Sequence, residues 1–156
     1  MSANELEKLA NKANLKFRKA FKALIMKVPV PILYTDKGLV AQQSTVDYTG
    51  LIDGGQYIAF DAKECSSLTS FPLVNIHEHQ LLYLQLVKKL GGLVFFLIWL
   101  KKKNSKIHVV PISLVEKYWY GGGRKSIPAD EFKDEWLTDI DSYINKAIEM
   151  KDDLTK

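Results

Sequence analysis

The residues of this chain whose types and spacing could do chemistry are Asp47, Asp61 and Lys63, within the stretch STVDYTGLIDGGQYIAFDAKE from 44 to 64. The run QYIAFDAK from Gln56 to Lys63 is aromatic and β-branched and follows the turn signal Asp53-Gly54-Gly55, which predicts the second arm of a β-hairpin. Side chains alternate along a strand, so Asp61 and Lys63 share a face while Ala62 points into packing. Asp47 lies on the first arm, and pairing the arms brings its carboxylate near that of Asp61. Two carboxylates that close repel unless a cation sits between them, and oxygen-only ligands select a hard ion, Mg²⁺ with Mn²⁺ as the alternative. A lysine beside them suits phosphoryl chemistry, where it stabilises developing negative charge or holds an attacking water in line. An acid-x-lysine triplet by itself is common, and it equally describes a surface hairpin with one ion pair.

The wider spacing narrows the choice. Asp47, followed after thirteen residues by Asp61-Ala62-Lys63, fits the PD-(D/E)xK nuclease pattern with Val46 in place of the proline. TSFPLVNIHEHQ at 69 to 80 and GRKSIPADE at 123 to 131 then resemble stretches of RecU, the Holliday junction resolvase family of low-GC Gram-positive bacteria and some of their phages. The likeness covers residues 44 to 132, and more weakly the first helix and the tail. It implies a restriction-endonuclease-like α/β fold, a mixed central sheet flanked by helices, with residues 1–156 as a single nuclease domain. It also implies a site in which Asp47, Asp61, Lys63 and Gln80 are catalytic and Thr45, Asp47, Asp61 and Gln80 surround Mg²⁺. Thr45 would share the strand face of Asp47, and helical geometry would carry Gln80 toward the strand bearing Asp61. The match at GRKSI marks Arg124 and Lys125 as DNA contacts. A homodimer setting symmetric nicks in branched DNA, recombination proteins as further partners and a cytoplasmic, nucleoid-associated location are implied as well. The segment before Asp47 is shorter than the basic stalk of the family, which bears on junction specificity and favours the first of two alternatives that stay open. One is a nuclease of the same fold acting on flaps, ends or linear duplex; the other is a protein that bridges DNA without cutting, against which the complete acid and lysine set argues.

Around this centre the elements read as follows. Residues 3 to 27 predict an amphipathic helix after a Ser2-x-x-Glu5 capping box, with Leu6, Leu9, Ala10, Ala13, Phe17, Ala20, Phe21 and Leu24 at helical period. Its other face is basic. Lys16 and Lys19 are candidate phosphate contacts there, against the common reading of a solvated lysine face. Glu7 falls where related nucleases carry a helix-borne acid. Pro29 and Pro31 end the helix, and VPVPILYTDKGLVAQQ predicts one or two short extended pieces. A helix is expected from about Leu73 to Leu90 with Ser70 as its cap, and it places His77 and His79 on different faces, which disfavours a zinc site. GLVFFLIWL from Gly92 to Leu100 and IHVVPI from 107 to 112 predict central strands joined by the basic turn at Lys101 to Lys103. Ser113 and Glu116 predict a capped short helix ending at Gly121-Gly122-Gly123, and Thr138 with Asp141 a final amphipathic helix.

Composition bounds the class. The chain has 156 residues, 47% of them hydrophobic, and a formal net charge of +4. No apolar run approaches a membrane span, no signal peptide is evident, and the single cysteine, Cys65, builds no disulfide framework, so a reducing intracellular compartment is expected. Lys and Arg outnumber acids by seven to two over residues 1 to 27 and by eleven to seven over 28 to 127, whereas 128 to 156 hold four against nine. A polyanion would therefore be drawn to the first two regions.

Overall fold

The computed structural model describes residues 4–30, 32–41, 45–103 and 105–156. In chain order the elements are α1 (Glu5–Lys19), β1 (Ala23–Lys27), β2 (Ile32–Thr35), β3 (Gly38–Ala41), β4 (Tyr48–Ile52), β5 (Gln56–Cys65), β6 (Ser70–Pro72), α2 (Glu78–Lys89), β7 (Leu93–Leu100), β8 (Lys106–Val110), α3 (Ile112–Trp119), β9 (Ser126–Pro128), β10 (Leu137–Thr138), α4 (Tyr143–Glu149) and α5 (Lys151–Thr155). Six strands form the main sheet in the order β1-β4-β5-β7-β8-β10. The sheet is mixed: β5 and β7 run parallel and the other pairs antiparallel. Two small sheets, β2–β3 and β6–β9, stand beside it.

Alternation along the strands decides what each face buries. Tyr48, Phe60 and Phe95 are in register across β4, β5 and β7, and their rings stack at centroid distances of 4.9 and 4.7 Å. Tyr143 of α4 meets Phe60 edge-on at 5.4 Å, and Phe17 of α1 meets Tyr143 at 5.3 Å, so α1 and α4 cover this face. Tyr57 has the opposite parity and joins its hydroxyl to that of Tyr83 at 2.8 Å, which places α2 on the other face. With helices on both sides, β7 is buried from Leu93 to Leu100 apart from the half-buried Trp99, as a continuously apolar central strand must be.

The hairpin at 53–55 and the strand at 93–100 lie where the sequence placed them, and the strand expected over 107–112 runs from Lys106 to Val110. Five helix boundaries differ. The first helix stops at Lys19; Phe21 takes a positive φ of 56° and the chain turns into β1, which pairs with β4 from Ala23 to Lys27. Ala23 and Ile25 point inward at strand spacing, and the run ALIMK suits either period until the β4 edge supplies its partner. The cap of α1 is Asn4, whose Oδ1 accepts from the Glu7 amide at 2.8 Å; Ser2 lies outside the described residues. The second helix begins at Glu78 because residues 70–72 pair with β9, so Ser70 is a strand residue. α3 starts at Ile112 behind Pro111, with Ser113 already inside it, and Thr138 pairs with β8 in β10, leaving the last helices to begin at Tyr143.

Gly50 shows how close β1 and β4 come. A Cβ at this position would lie 2.0 Å from the Leu24 carbonyl oxygen, a backbone atom that cannot move without opening the pair. Gly50→Ala is expected to destabilise the fold toward the upper end of the roughly 1–3 kcal/mol typical of overpacking. Urea unfolding checks this, and an unchanged midpoint would show that the two strands separate freely.

Candidate active site

The ladder between β4 and β5 ends at the Tyr48–Phe60 pair, while β5 runs on to Cys65 against β7 alone. Residues 61–65 thus border a notch on the side that β4 leaves open. Asp47, one residue before β4, closes the corner by side-chain bonds in place of ladder bonds. Its amide donates to Asp61 Oδ1 at 2.8 Å, and its own Oδ2 accepts from the Ala62 amide at 3.3 Å. The two carboxylates are interlocked across the hairpin. Lys63 Nζ lies 2.9 Å from Asp61 Oδ2, on the same face as strand alternation requires.

Glu7 of α1 and Lys27, the last residue of β1, complete the charge cluster. Lys27 Nζ stands 3.5 Å from Glu7 Oε2 and 3.4 Å from Asp47 Oδ1, above the Tyr48 ring at 4.9 Å. The start of α1 is fixed beside the notch by two anchors. Glu64 Oε1 accepts from the Leu6 amide at 2.6 Å, and the Tyr48 hydroxyl reaches Asn11 Oδ1 at 2.6 Å and the Glu7 carbonyl at 3.2 Å. Lys101 ties Glu5 and Glu64 together at 2.7 and 3.3 Å, which gives the basic turn after β7 a structural task.

The electrostatics follow from burial. Asp61 is fully buried, and desolvation, reinforced by the Asp47 carboxylate, pushes its pKa up to about 7 against the opposing pull of Lys63. Burial and then the Glu7, Asp47 and Asp61 carboxylates likewise push the Tyr48 phenol well above its ordinary value. The corner gathers three carboxyl groups, Glu7, Asp47 and Asp61, around two lysines, Lys27 and Lys63.

A cavity of about 420 Å³ opens from the notch, lined by Glu7, Asp47, Ala62, Lys63 and Glu64 on one side and by Val74, Asn75 and His77 on the other. Gln80 is buried in the first turn of α2, and its Oε1 accepts from the His77 amide at 3.1 Å, so it caps its own helix. Thr45 is exposed at a bend before β4, outside the strand on which it was expected to sit beside Asp47. His77 precedes α2 and stacks on His79 at 5.6 Å; the two rings face each other where a continuous helix would have parted them. Among the described residues no group of three or more His, Cys, Asp or Glu side chains is arranged to hold a metal, so the notch offers a carboxylate pair. Arg124 and Lys125 lie close by, because the Lys125 carbonyl accepts from the Leu73 amide at 2.9 Å and draws their loop against the segment that carries Val74 and His77. Lys16 and Lys19 are elsewhere. They follow Glu7 by about 14 and 18 Å along the helix axis. Lys16 pairs with Asp141 at 3.1 Å, and Lys19 borders an apolar cavity with Phe21, Leu24 and Leu51.

Lys27 is the residue of this cluster that the sequence did not single out. The signal was faint: a lysine ending a short apolar run just before a proline pair.

A family model described as Recombination protein U matches residues 3–155. The chain belongs to the Recombination protein U family. Curated members similar to it include the Holliday junction resolvase RecU of Oenococcus oeni, 36% identical over 138 residues, which cover 79% of this chain and 69% of that protein. The Pediococcus pentosaceus protein of the same name is 35% identical over 145 residues, covering 83% and 71%. That of Ligilactobacillus salivarius is 32% identical over 142 residues, covering 82% and 66%. The RecU match includes every element that forms the notch, from α1 and β1 through the β4–β5 hairpin to the segment ahead of α2. Among the described residues no helix is long and apolar enough to cross a membrane.

Proposed function

We propose that this RecU-family chain, as a single PD-(D/E)xK nuclease domain with a restriction-endonuclease-like fold, is a divalent-metal-dependent endonuclease that resolves four-way DNA junctions. The observation that carries the reading is the interlocked Asp47–Asp61 pair with Lys63 at the end of the β4–β5 ladder. The names of its relatives supply the substrate class.

The residues fit a hard divalent ion. A buried carboxyl whose ionisation is opposed by burial and by a second carboxylate is relieved by a cation, and the donors, Asp47, Asp61 and the Ala62 carbonyl, are all oxygens. Two carboxylates suit Mg²⁺, which keeps several of its waters; Mn²⁺ is the alternative. Such an ion, when bound, polarises a phosphoryl oxygen and lowers the pKa of a coordinated water.

The chain's own groups do the rest. Lys63, already held beside Asp61, offers its ammonium to the charge that builds on the phosphate oxygens. Lys27 neutralises Asp47 and Glu7 until substrate arrives and then faces the same phosphate. Gln80 positions the His77 segment through its helix cap, and Thr45, two residues before Asp47, offers a hydroxyl that could bind a water of the ion. Arg124 and Lys125 hold the flanking backbone. Two copies about a two-fold axis would place two such notches on the opposed strands of a symmetric junction.

Cleavage of a labelled synthetic four-way junction beside linear duplex and flap DNA, with and without Mg²⁺, tests the reading. Paired symmetric nicks confined to the junction are expected. Equal cutting of all three substrates would make the protein a general nuclease, and metal-independent binding without cutting would make it a DNA-bridging protein.

A further inference from the structure

A second cavity, of about 820 Å³, adjoins the acid notch. Its floor is built from Leu73 and Ile76, between β6 and α2, and from Trp119 in the last turn of α3; Val74 stands at its mouth, and Arg124 and Lys125 on its rim. Val74 and His77 line both this cavity and the notch, so the two adjoin across these side chains. Val74 is 81% exposed, an apolar side chain at the junction of two cavities. Glu78, in the first turn of α2, is the acid among the lining residues.

We propose that this groove holds an unpaired stretch of the DNA strand running on from the phosphate at the notch, with bases on the apolar floor and phosphates on the Arg124–Lys125 rim. The proposal rests on the nuclease reading and says where the substrate strand goes. A duplex keeps its base faces inside the stack and shows a protein its phosphates, sugars and base edges, so an apolar floor gains nothing from it. An unpaired base has both faces free, and laying it on aromatic and aliphatic side chains is the means by which single strands are held regardless of sequence. Basic side chains on the rim match the phosphates of that strand. The volume lies in the range that encloses a drug-sized molecule, which leaves room for more than one base. Gly121 to Gly123 lead into Arg124, and Gly122 has a φ of 75°, so the rim is carried on a turn that glycine alone adopts freely. A branch point is also where turning a base out of its stack costs least, because its neighbours there are already incompletely stacked.

A scan of single abasic sites through the positions flanking the cut in a four-way junction tests the groove. Binding is measured with Lys63→Ala protein and cleavage with the wild type. One or two positions on one side of the cut are expected to lose roughly 5- to 100-fold in both measurements, the range that stacking of one base supplies. In Val74→Asp and Trp119→Ala backgrounds the intact junction binds correspondingly less well, and the abasic penalty disappears. Val74 is exposed, so its variant reports on the groove even if the Trp119 change disturbs packing. A flat scan, or a penalty that persists in both backgrounds, overturns the proposal. Cleavage with a flat scan removes the groove and leaves the nuclease; position-dependent binding without any cleavage removes the nuclease and leaves the groove.

Discussion

Asp61→Asn is expected to give a protein that unfolds at higher urea concentration than the wild type at pH 8 and that cleaves nothing. Asp61 has no exposed surface, and its pKa of about 7 in the fold exceeds the ordinary aspartate value near 4. Between those two pH values the native state holds a proton that the unfolded chain has released. Wild-type stability therefore falls as pH rises through the window, by at most about 1.4 kcal/mol per unit, and stays low above it. Asparagine carries no charge at any pH, and its amide oxygen can still accept from the Asp47 amide. The attraction of Lys63, which is itself mostly buried, is already contained in that pKa, so the gain is net of the ion pair. The net advantage at pH 8 is on the order of 2–4 kcal/mol, and it should close toward pH 4, where both side chains are neutral. Urea midpoints of both proteins at the two pH values, without divalent ions, decide the matter; equal midpoints at pH 8 would mean that Lys63 fully compensates the buried charge. Mg²⁺ should then stabilise the wild type and leave the variant unmoved, because an ion bound only by the native state adds to its stability.

Agreement between local patterns explains which parts of the protein could be read from its sequence. The β4–β5 hairpin was legible because a two-residue period, a turn signal and charged residues at a fixed offset all agree on it. β7 was legible because an apolar run of strand length has one place to go in a layered fold. α1 was overextended because Ala20, Phe21 and Leu24 continue its helical period, and only the unpaired edge of β4 makes ALIMK a strand. Lys27 was hidden by that error: read as part of a helix it has no neighbour, whereas at the end of β1 it falls beside Asp47. The start of α2 was placed too early for a related reason, since residues 70–72 find β9 more than fifty positions away and a non-local pairing leaves no local mark. Lys16 and Lys19 look equivalent to the site lysines in a charge count, and only the direction of the helix shows them leading away from the notch.

Lys63→Ala is expected to lower junction cleavage by roughly 10²- to 10³-fold, the cost of removing one preorganised charge stabiliser, while leaving junction affinity within a few-fold of wild type. The two effects separate because affinity for DNA is spread over many phosphate contacts, and one ammonium set back in a cavity is a small share of them. The change also removes the group that draws the Asp61 pKa down, so the proton on that carboxyl is held to higher pH and a metal must displace it. Part of the loss should accordingly be recovered by raising pH and metal concentration, and the remainder, which survives saturating metal, is the direct contribution of the ammonium to the phosphate. Cleavage rates at saturating DNA across pH 6 to 9 at two Mg²⁺ concentrations resolve the two parts. Complete recovery would reduce Lys63 to a positioning residue for Asp61, and wild-type cleavage throughout would move the catalytic cation to Lys27, 3.4 Å from Asp47 on the other side of the notch.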